Sequence, residues 1–410
     1  MNSSICEAPL VSNWCPLISP RNTKLIRLRI LRYNSSFSFV KCFSSKFSSA
    51  AAAVASTQDE LHQSFLASYL IDSCGVSPQR AVDLSGIYAN KLRFDTPEKP
   101  DSMRASLRNS GFTDHDITKL ISYDPVLLSY SEETLLPKIH FFYSIGFTQK
   151  ELPFFLAKSG LLRHSLNDYI IPLYSMLKDE LETEREIVVC MKRLGYVIRK
   201  TGYKNIRPNL TLLKEVGVPS SKLAYFVRAY PADLIFHPND FRGIVDEVKA
   251  LGFDVTKIFF VHGVHALCPR YETVRDRCSE IYIEWGFSQE DILSAFRKWP
   301  QCLLLSENKL RDSLDFLIGK IGCQVEAVVR NPVIVTYNLD ERVIPRCSVI
   351  HVLTKKGLVR SDLTLGYILN QSEKCFLNRY VYKHTAISSV LLEVYQRKVD
   401  PFKELLSVIS

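Results

Sequence analysis

A glycine followed by an apolar residue returns along this chain every 34 to 36 residues. It occurs as Gly111-Phe112, Gly146-Phe147, Gly217-Val218, Gly252-Phe253, Gly286-Phe287, Gly322-Cys323 and Gly357-Leu358. The 71 residues from Gly146 to Gly217 hold two periods, with a degenerate unit between them. A repeat of this length is a supersecondary unit that buries its apolar face only by stacking on its neighbours. The chain is therefore expected to fold as a helical-repeat solenoid.

The repeat has an internal grammar. A proline lies 14 residues after the glycine at Pro125, Pro231 and Pro300, and 10 after it at Pro332. An apolar residue follows each proline by three positions (Leu128, Leu234, Leu303, Val335) and a second by 10 or 11 (Leu135, Phe241, Leu310, Val343). Just after the glycines, Thr113-x-x-Asp116, Thr148-x-x-Glu151 and Ser288-x-x-Asp291 are capping boxes that open a first helix. Ile292, Ala295, Phe296 and Trp299 then fall at helical spacing. The proline stops that helix, because it lacks an N–H and restricts the residue before it. A second helix runs into the next glycine, which suits a C-cap of positive φ. Pro137, Pro172, Pro208 and Pro345 fit the first turn of these second helices. No stretch alternates as a strand, so the fold class is all-α.

Residues 1–57 differ in kind. They hold four Arg, three Lys and twelve Ser against one acid, Glu7, and Leu25 to Arg32 forms a basic amphipathic run. This is the composition of a disordered organelle transit peptide, and its arginines together with Val40-Lys41-Cys42-Phe43-Ser44-Ser45 favour the mitochondrion over the chloroplast. The segment carries +6 of the net +9, which leaves +3 for the rest. Global basicity is thus mostly a targeting feature. The expected layout is this leader, a repeat body over 58–390 and a C-terminal tail over 391–410. Eight cysteines are scattered through the body without a CxxC pair, as small core residues of a reducing compartment would be. No run approaches the ~18 apolar residues of a membrane span.

Motifs of catalysis are not found: no P-loop, dinucleotide glycine pattern, HExxH or nucleophile elbow. His262-x-x-His265-x-x-Cys268 has ligand-like spacing but occurs once, inside an ordinary repeat, and reads as packing. No catalytic residue, metal or cofactor is expected. The basic residues say more. Between Ile187 and Lys214 stand Lys192, Arg193, Arg199, Lys200, Lys204, Arg207 and Lys214 with no acid, and Tyr196 and Tyr203 are interleaved. Arg and Lys can hold phosphates while Tyr offers a stacking plate, so this segment is expected to contact nucleic acid. Further cations precede the repeat proline at Arg228, Arg297, Lys298 and Arg330, a stripe able to follow a phosphate backbone. Asp124 interrupts that stripe before Pro125, and Trp299 reads as core rather than as a base-stacking residue.

Tetratricopeptide repeats lack a mid-unit proline followed by x-x-Leu, and the pentatricopeptide-like phrase Val335-Thr336-Tyr337-Asn338 occurs once. The repeated Pro-x-x-Leu units resemble instead the mitochondrial transcription termination factor (mTERF) family in its plant form. So does the run from Asn331-Pro332-Val333-Ile334 through Arg342-Val343-Ile344-Pro345-Arg346, closed by Leu353 and Gly357, and so does the terminal Phe376-Leu377-Asn378-Arg379-Tyr380-Val381. The resemblance covers Ser73 to Lys383. It implies units of two helices plus a short 3-10 turn in a curved superhelix whose concave basic side cradles nucleic acid. It also implies a non-catalytic role in organelle gene expression: transcription termination or regulation, or RNA maturation such as group II intron splicing. The implied partners are organellar DNA or RNA and other organelle gene-expression proteins. Arg228, Arg297 and Arg330, with Arg346 of the Pro-Arg pair, are the binding positions it transfers. Ser159-Gly160 stands where a proline is expected and Pro269 is displaced, so those units depart from the pattern. The alternative is a protein-binding scaffold whose basicity is incidental, which the mature charge of +3 favours.

Overall fold

The computed structural model describes residues 57–88, 91–92, 96–360 and 363–398, all within the unit Ala51–Ser410. The transit-peptide assignment to residues 1–57 falls outside them, save for Thr57. The chain enters through α1 (Thr57–Asp72), α2 (Pro78–Tyr88) and α3 (Glu98–Asn109). Pairs of first and second helices follow: α4 (Asp114–Tyr123) and α5 (Glu132–Ser144), then α6 (Leu152–Ser159) and α7 (Ile171–Lys178), then α8 (Glu184–Thr201) and α9 (Ile206–Glu215). The series continues with α10 (Ser220–Ala229) and α11 (Pro238–Ala250), then α12 (Ile258–Leu267) and α13 (Glu272–Glu284). Next come α14 (Gln289–Lys298) and α15 (Glu307–Leu314), then α16 (Val325–Arg330) and α17 (Ile344–Lys355). The short helices α18 (Leu365–Leu369), α19 (Glu373–Leu377) and α20 (Ser388–Tyr395) close the series. There is no strand among the described residues, and the fold is an all-α helical repeat.

The glycine period is a backbone requirement. At the end of α13, Gly286 has φ +87° while the N–H of Phe287 bonds the carbonyl of Tyr282 at 3.0 Å. This closure satisfies the orphan carbonyls of a helix end, and its left-handed residue is costly for anything but glycine. The same bond recurs from Phe112 to Leu107, Phe147 to Phe142 and Val218 to Leu213. Gly75, φ +66° and 36 residues before Gly111, adds a unit ahead of the glycines named from the sequence.

The proline phrase is equally local. Pro125, Pro231, Pro300 and Pro332 each open a 3-10 turn (Pro125–Ser129, Pro231–Ile235, Pro300–Leu303, Pro332–Thr336). The apolar residues three positions on are buried, as are Leu135, Phe241, Leu310 and Val343 on the second helices. Each such side chain contributes about 1.5–3 kcal/mol on leaving water. Consecutive first helices touch along α4, α6, α8, α10, α12, α14 and α16, and second helices touch as α9 with α11 and α13 with α15. The core thus lies between two layers of helices, where every unit is completed by its neighbour.

Several expectations are corrected. The capping boxes of Thr113 and Ser288 form as drawn. Thr148 and Glu151 instead close a turn, and α6 starts only at Leu152, with Pro153 in its first turn. Pro137 lies well inside α5 rather than in its first turn. Pro172 and Pro345 are preceded by π-turns, Leu166–Ile170 and Leu339–Val343. A wider turn relieves the clash of a proline ring with the preceding turn's carbonyl. Where proline is missing, Gly160 at φ +65° makes the break, and the 3-10 turn Leu161–Arg163 still follows. Pro269 opens a shorter turn, Pro269–Tyr271. In the degenerate unit nothing breaks the helix at all, and α8 runs for 18 residues. Leu391 and Val394 of α20 are buried and α20 packs on α17, so packing continues past residue 390 into the segment expected to be a tail.

Candidate nucleic-acid interface

The central basic segment occupies α8 and α9, and most of its cations have partners within the fold. Lys192 Nζ lies 2.6 Å from Glu151 Oε1 and holds that carboxyl below its ordinary range. Arg207 meets Asp179 at 3.3 Å and Lys214 meets Glu180 at 2.5 Å. These acids stand 28 to 41 residues away in sequence, on adjoining units, so the segment itself contains none. Arg193 donates to the carbonyls of Arg228 and Ala229 at the end of α10. Arg199 donates to Ala157 O at 3.0 Å and Tyr123 O at 2.9 Å, the last turns of α6 and α4. A cation at a helix C-terminus satisfies orphan carbonyls and complements the dipole.

What remains turned outward is the last part of α8 and the turn after it. Tyr196 is 58 % exposed, with Lys200 Nζ 4.8 Å from its ring centroid, and exposed Lys204 makes no hydrogen bond or ion pair among the described residues. Tyr203, the other expected stacking residue, is half-buried and meets Tyr169 edge-on at 4.6 Å. Tyr169 in turn stacks on His164. Burial raises the Tyr203 hydroxyl, so its ring serves the packing between units.

The stripe before the prolines divides in the same way. Arg228 pairs with Glu186 at 2.6 Å and lies over the Tyr225 ring. Arg297 bonds Leu251 O at 3.1 Å, and Lys298 bonds Val329 O at 2.8 Å at the end of α16. Among the described residues Arg330 bonds only Glu326 O of its own helix, and it stays exposed. Asp124, which breaks the stripe, is buried in a two-bond pair with Arg163 of the next unit, at 2.5 and 2.6 Å. Arg346 overturns its expected role, being 1 % exposed. Its Nη1 donates to Ile368, Leu369 and Gln371 carbonyls at 3.3, 3.1 and 2.7 Å, and the guanidinium lies over Phe376. Burial, with Arg342 adding, depresses its pKa. It braces α17 against the turn after α18 and cannot reach a ligand. Trp299 is half-buried and edge-on to Phe259 at 5.7 Å.

The His-x-x-His-x-x-Cys residues are all buried and otherwise engaged. His262 Nδ1 meets Tyr230 Oη at 3.0 Å, His265 Nδ1 meets Asp233 Oδ2 at 2.6 Å, and Cys268 Sγ bonds Val264 O. Burial, with His265 beside it, pushes His262 down to about 4. Among the described residues no group of His, Cys, Asp and Glu is arranged to hold a metal, and no helix is long and apolar enough to cross a membrane.

The model of the family described as mTERF matches residues 104–271 and 268–377 of the chain. Over 270 residues the chain is 25 % identical to "Transcription termination factor MTERF8, chloroplastic" of Arabidopsis thaliana, covering 63 % of this chain and 52 % of that protein. Over 286 residues it is 22 % identical to "Transcription termination factor MTEF18, mitochondrial" of the same plant, covering 64 % and 51 %. A third relative, "Transcription termination factor MTERF15, mitochondrial", also of Arabidopsis thaliana, is 26 % identical over 98 residues, 24 % of this chain and 22 % of that protein. The chain spans about half the length of the first two.

Proposed function

The chain belongs to the mTERF family, and from that premise we propose that it is a nucleic-acid-binding regulator of gene expression in an organelle, without catalytic activity. It acts on transcription, by termination or other control, or on RNA maturation such as group II intron splicing. The observation that carries the binding reading is the outward face at the end of α8. There Tyr196 presents a ring, Lys200 covers it with charge, and Lys204 has no ion pair among the described residues. A ring beside unneutralised lysines can stack a base while holding its phosphate. Organellar DNA or RNA is the partner. The mitochondrion is the proposed compartment on the arginine content of residues 1–57, and the chloroplast is the alternative, since the relatives carry both words in their names.

The internal pairing of Lys192, Arg207, Lys214 and Arg228 favours a second reading, a scaffold that grips a protein of an organelle expression complex. A salt titration of the full chain against duplex DNA and single-stranded intron RNA, both organellar, separates the two. Tighter duplex binding supports action at transcription, and tighter RNA binding supports splicing or maturation. Failure to hold either at low salt removes the nucleic-acid reading and leaves the scaffold.

A further inference from the structure

We infer that a row of four cations at the starts of consecutive first helices, Lys150, Arg185, Lys222 and Lys257, is the surface along which a phosphodiester backbone runs. This inference rests on the nucleic-acid reading above and moves its main electrostatic contact to residues outside both the basic segment and the pre-proline stripe.

The four recur at intervals of 35, 37 and 35 residues, close to the period of the fold. Lys150 lies two residues before α6, Arg185 and Lys222 lie in the first turns of α8 and α10, and Lys257 immediately precedes α12. These helices pack on one another in that order, so equivalent ends stand side by side, with axes about 8–10 Å apart. Lys150, Arg185 and Lys257 are exposed and Lys222 is half-buried, and none makes a side-chain hydrogen bond or ion pair among the described residues.

Three of the acids nearest them in sequence are held by other cations. Glu151 is held by Lys192, Glu184 by Tyr174 and Lys178, and Glu186 by Arg228. Asp254 accepts from the N–H and hydroxyl of Thr256, with Lys257 a lesser influence on it. Lys257 is balanced in part by Asp254, while Lys150, Arg185 and Lys222 stand in no ion pair among the described residues.

Folding alone does not account for the row. Cations at the other end of the first helices cap carbonyls, as Arg199 and Lys298 do. At the start of a helix a cation faces the positive end of the dipole and weakens the helix. Four such placements in register, none in an ion pair among the described residues, are relieved by an external anion. Charge spaced evenly along a polymer fits four evenly spaced cations, whereas an acidic protein surface has no reason to repeat at the helix interval.

The test uses the full chain carrying Lys150→Gln, Arg185→Gln, Lys222→Gln and Lys257→Gln together. A control of equal charge loss carries Lys355→Gln, Lys356→Gln, Lys374→Gln and Lys383→Gln. Binding to the organellar duplex and single-stranded RNA is followed by anisotropy across a salt series, and unfolding by circular dichroism. The row variant is expected to flatten the log K against log salt slope by about 3, near 0.7–0.9 for each phosphate no longer neutralised. Its melting temperature should equal or exceed that of the unchanged protein, because neutralising these positions relieves the helix starts, and the control should keep most of the slope. If the unchanged protein binds while the row variant matches the control, the row is overturned and the nucleic-acid reading stands. If the unchanged protein binds neither nucleic acid, both fall.

Discussion

The units built on α8 and α14 share a period and almost nothing of its grammar. In the α14 unit a capping box at Ser288 opens a ten-residue helix, and Pro300 ends it in a 3-10 turn. The α8 unit has no proline at the break, and its 18-residue helix runs through the place where that turn would form. It packs there against the neighbouring turn Pro231–Ile235. Inside α8, Gly195 brings the helix against the Phe155 ring, where an added Cβ would meet ring carbons at 3.3 and 3.4 Å. A glycine within a helix costs about 1 kcal/mol relative to alanine, so its presence is a packing choice. The repeat demands that the space between neighbouring units be filled. Proline is one way to fill it, and a continuous helix that carries Tyr196 and Lys200 outward is another.

A proline placed in the unbroken helix gives the sharpest test of that comparison. Tyr196 stands 35 residues before Pro231, where the period would put the break. Tyr196→Pro removes a helical hydrogen bond and is expected to cost about 3 kcal/mol in urea unfolding. A loss below about 1 kcal/mol would mean that the α8 unit tolerates the ordinary break and that its continuity is incidental. Next in size is Arg199→Ala, which strips the carbonyls of Ala157 and Tyr123 of a charged donor and should cost about 2 kcal/mol. The same change at Arg297, with one carbonyl partner, should cost roughly half as much, and equal losses would erase the distinction between the units. The smallest effect is expected from Pro300→Ala, about 1 kcal/mol or less. There the flanking core residues hold the turn, and proline mainly restricts the unfolded chain. A larger loss would show that the turn depends on proline after all.

What was legible in the sequence follows from where each signal resides. Positive φ at Gly286 and the missing N–H of Pro300 are properties of single residues, so the repeat, its two helices and its turn could be read directly. Gly75-Val76 carries the same signal 36 residues before Gly111, so that unit too is legible in the sequence. The length of α8 escaped because a missing breaker is a weak signal. The site was the least legible part. Lys192 and Lys214 look unneutralised until the fold brings Glu151 and Glu180 from adjoining units. Arg346 resembles a surface cation until α17 packs its guanidinium against carbonyls 22 to 25 residues further on. Charge on a helical repeat is balanced across units, along a direction that a window on the sequence does not sample.

The reach of Arg199 bears on how the array comes apart. Stacked repeats are usually treated as a chain of nearest-neighbour couplings, which can fray from either end one unit at a time. Arg199 ties the end of α8 to α6 and also to α4, 76 residues earlier. Losing any of the three units strands the donor or the acceptors held by the others. Opening in this stretch should therefore be a joint event, with amides of α4, α6 and α8 exchanging their hydrogens together as a single protected block.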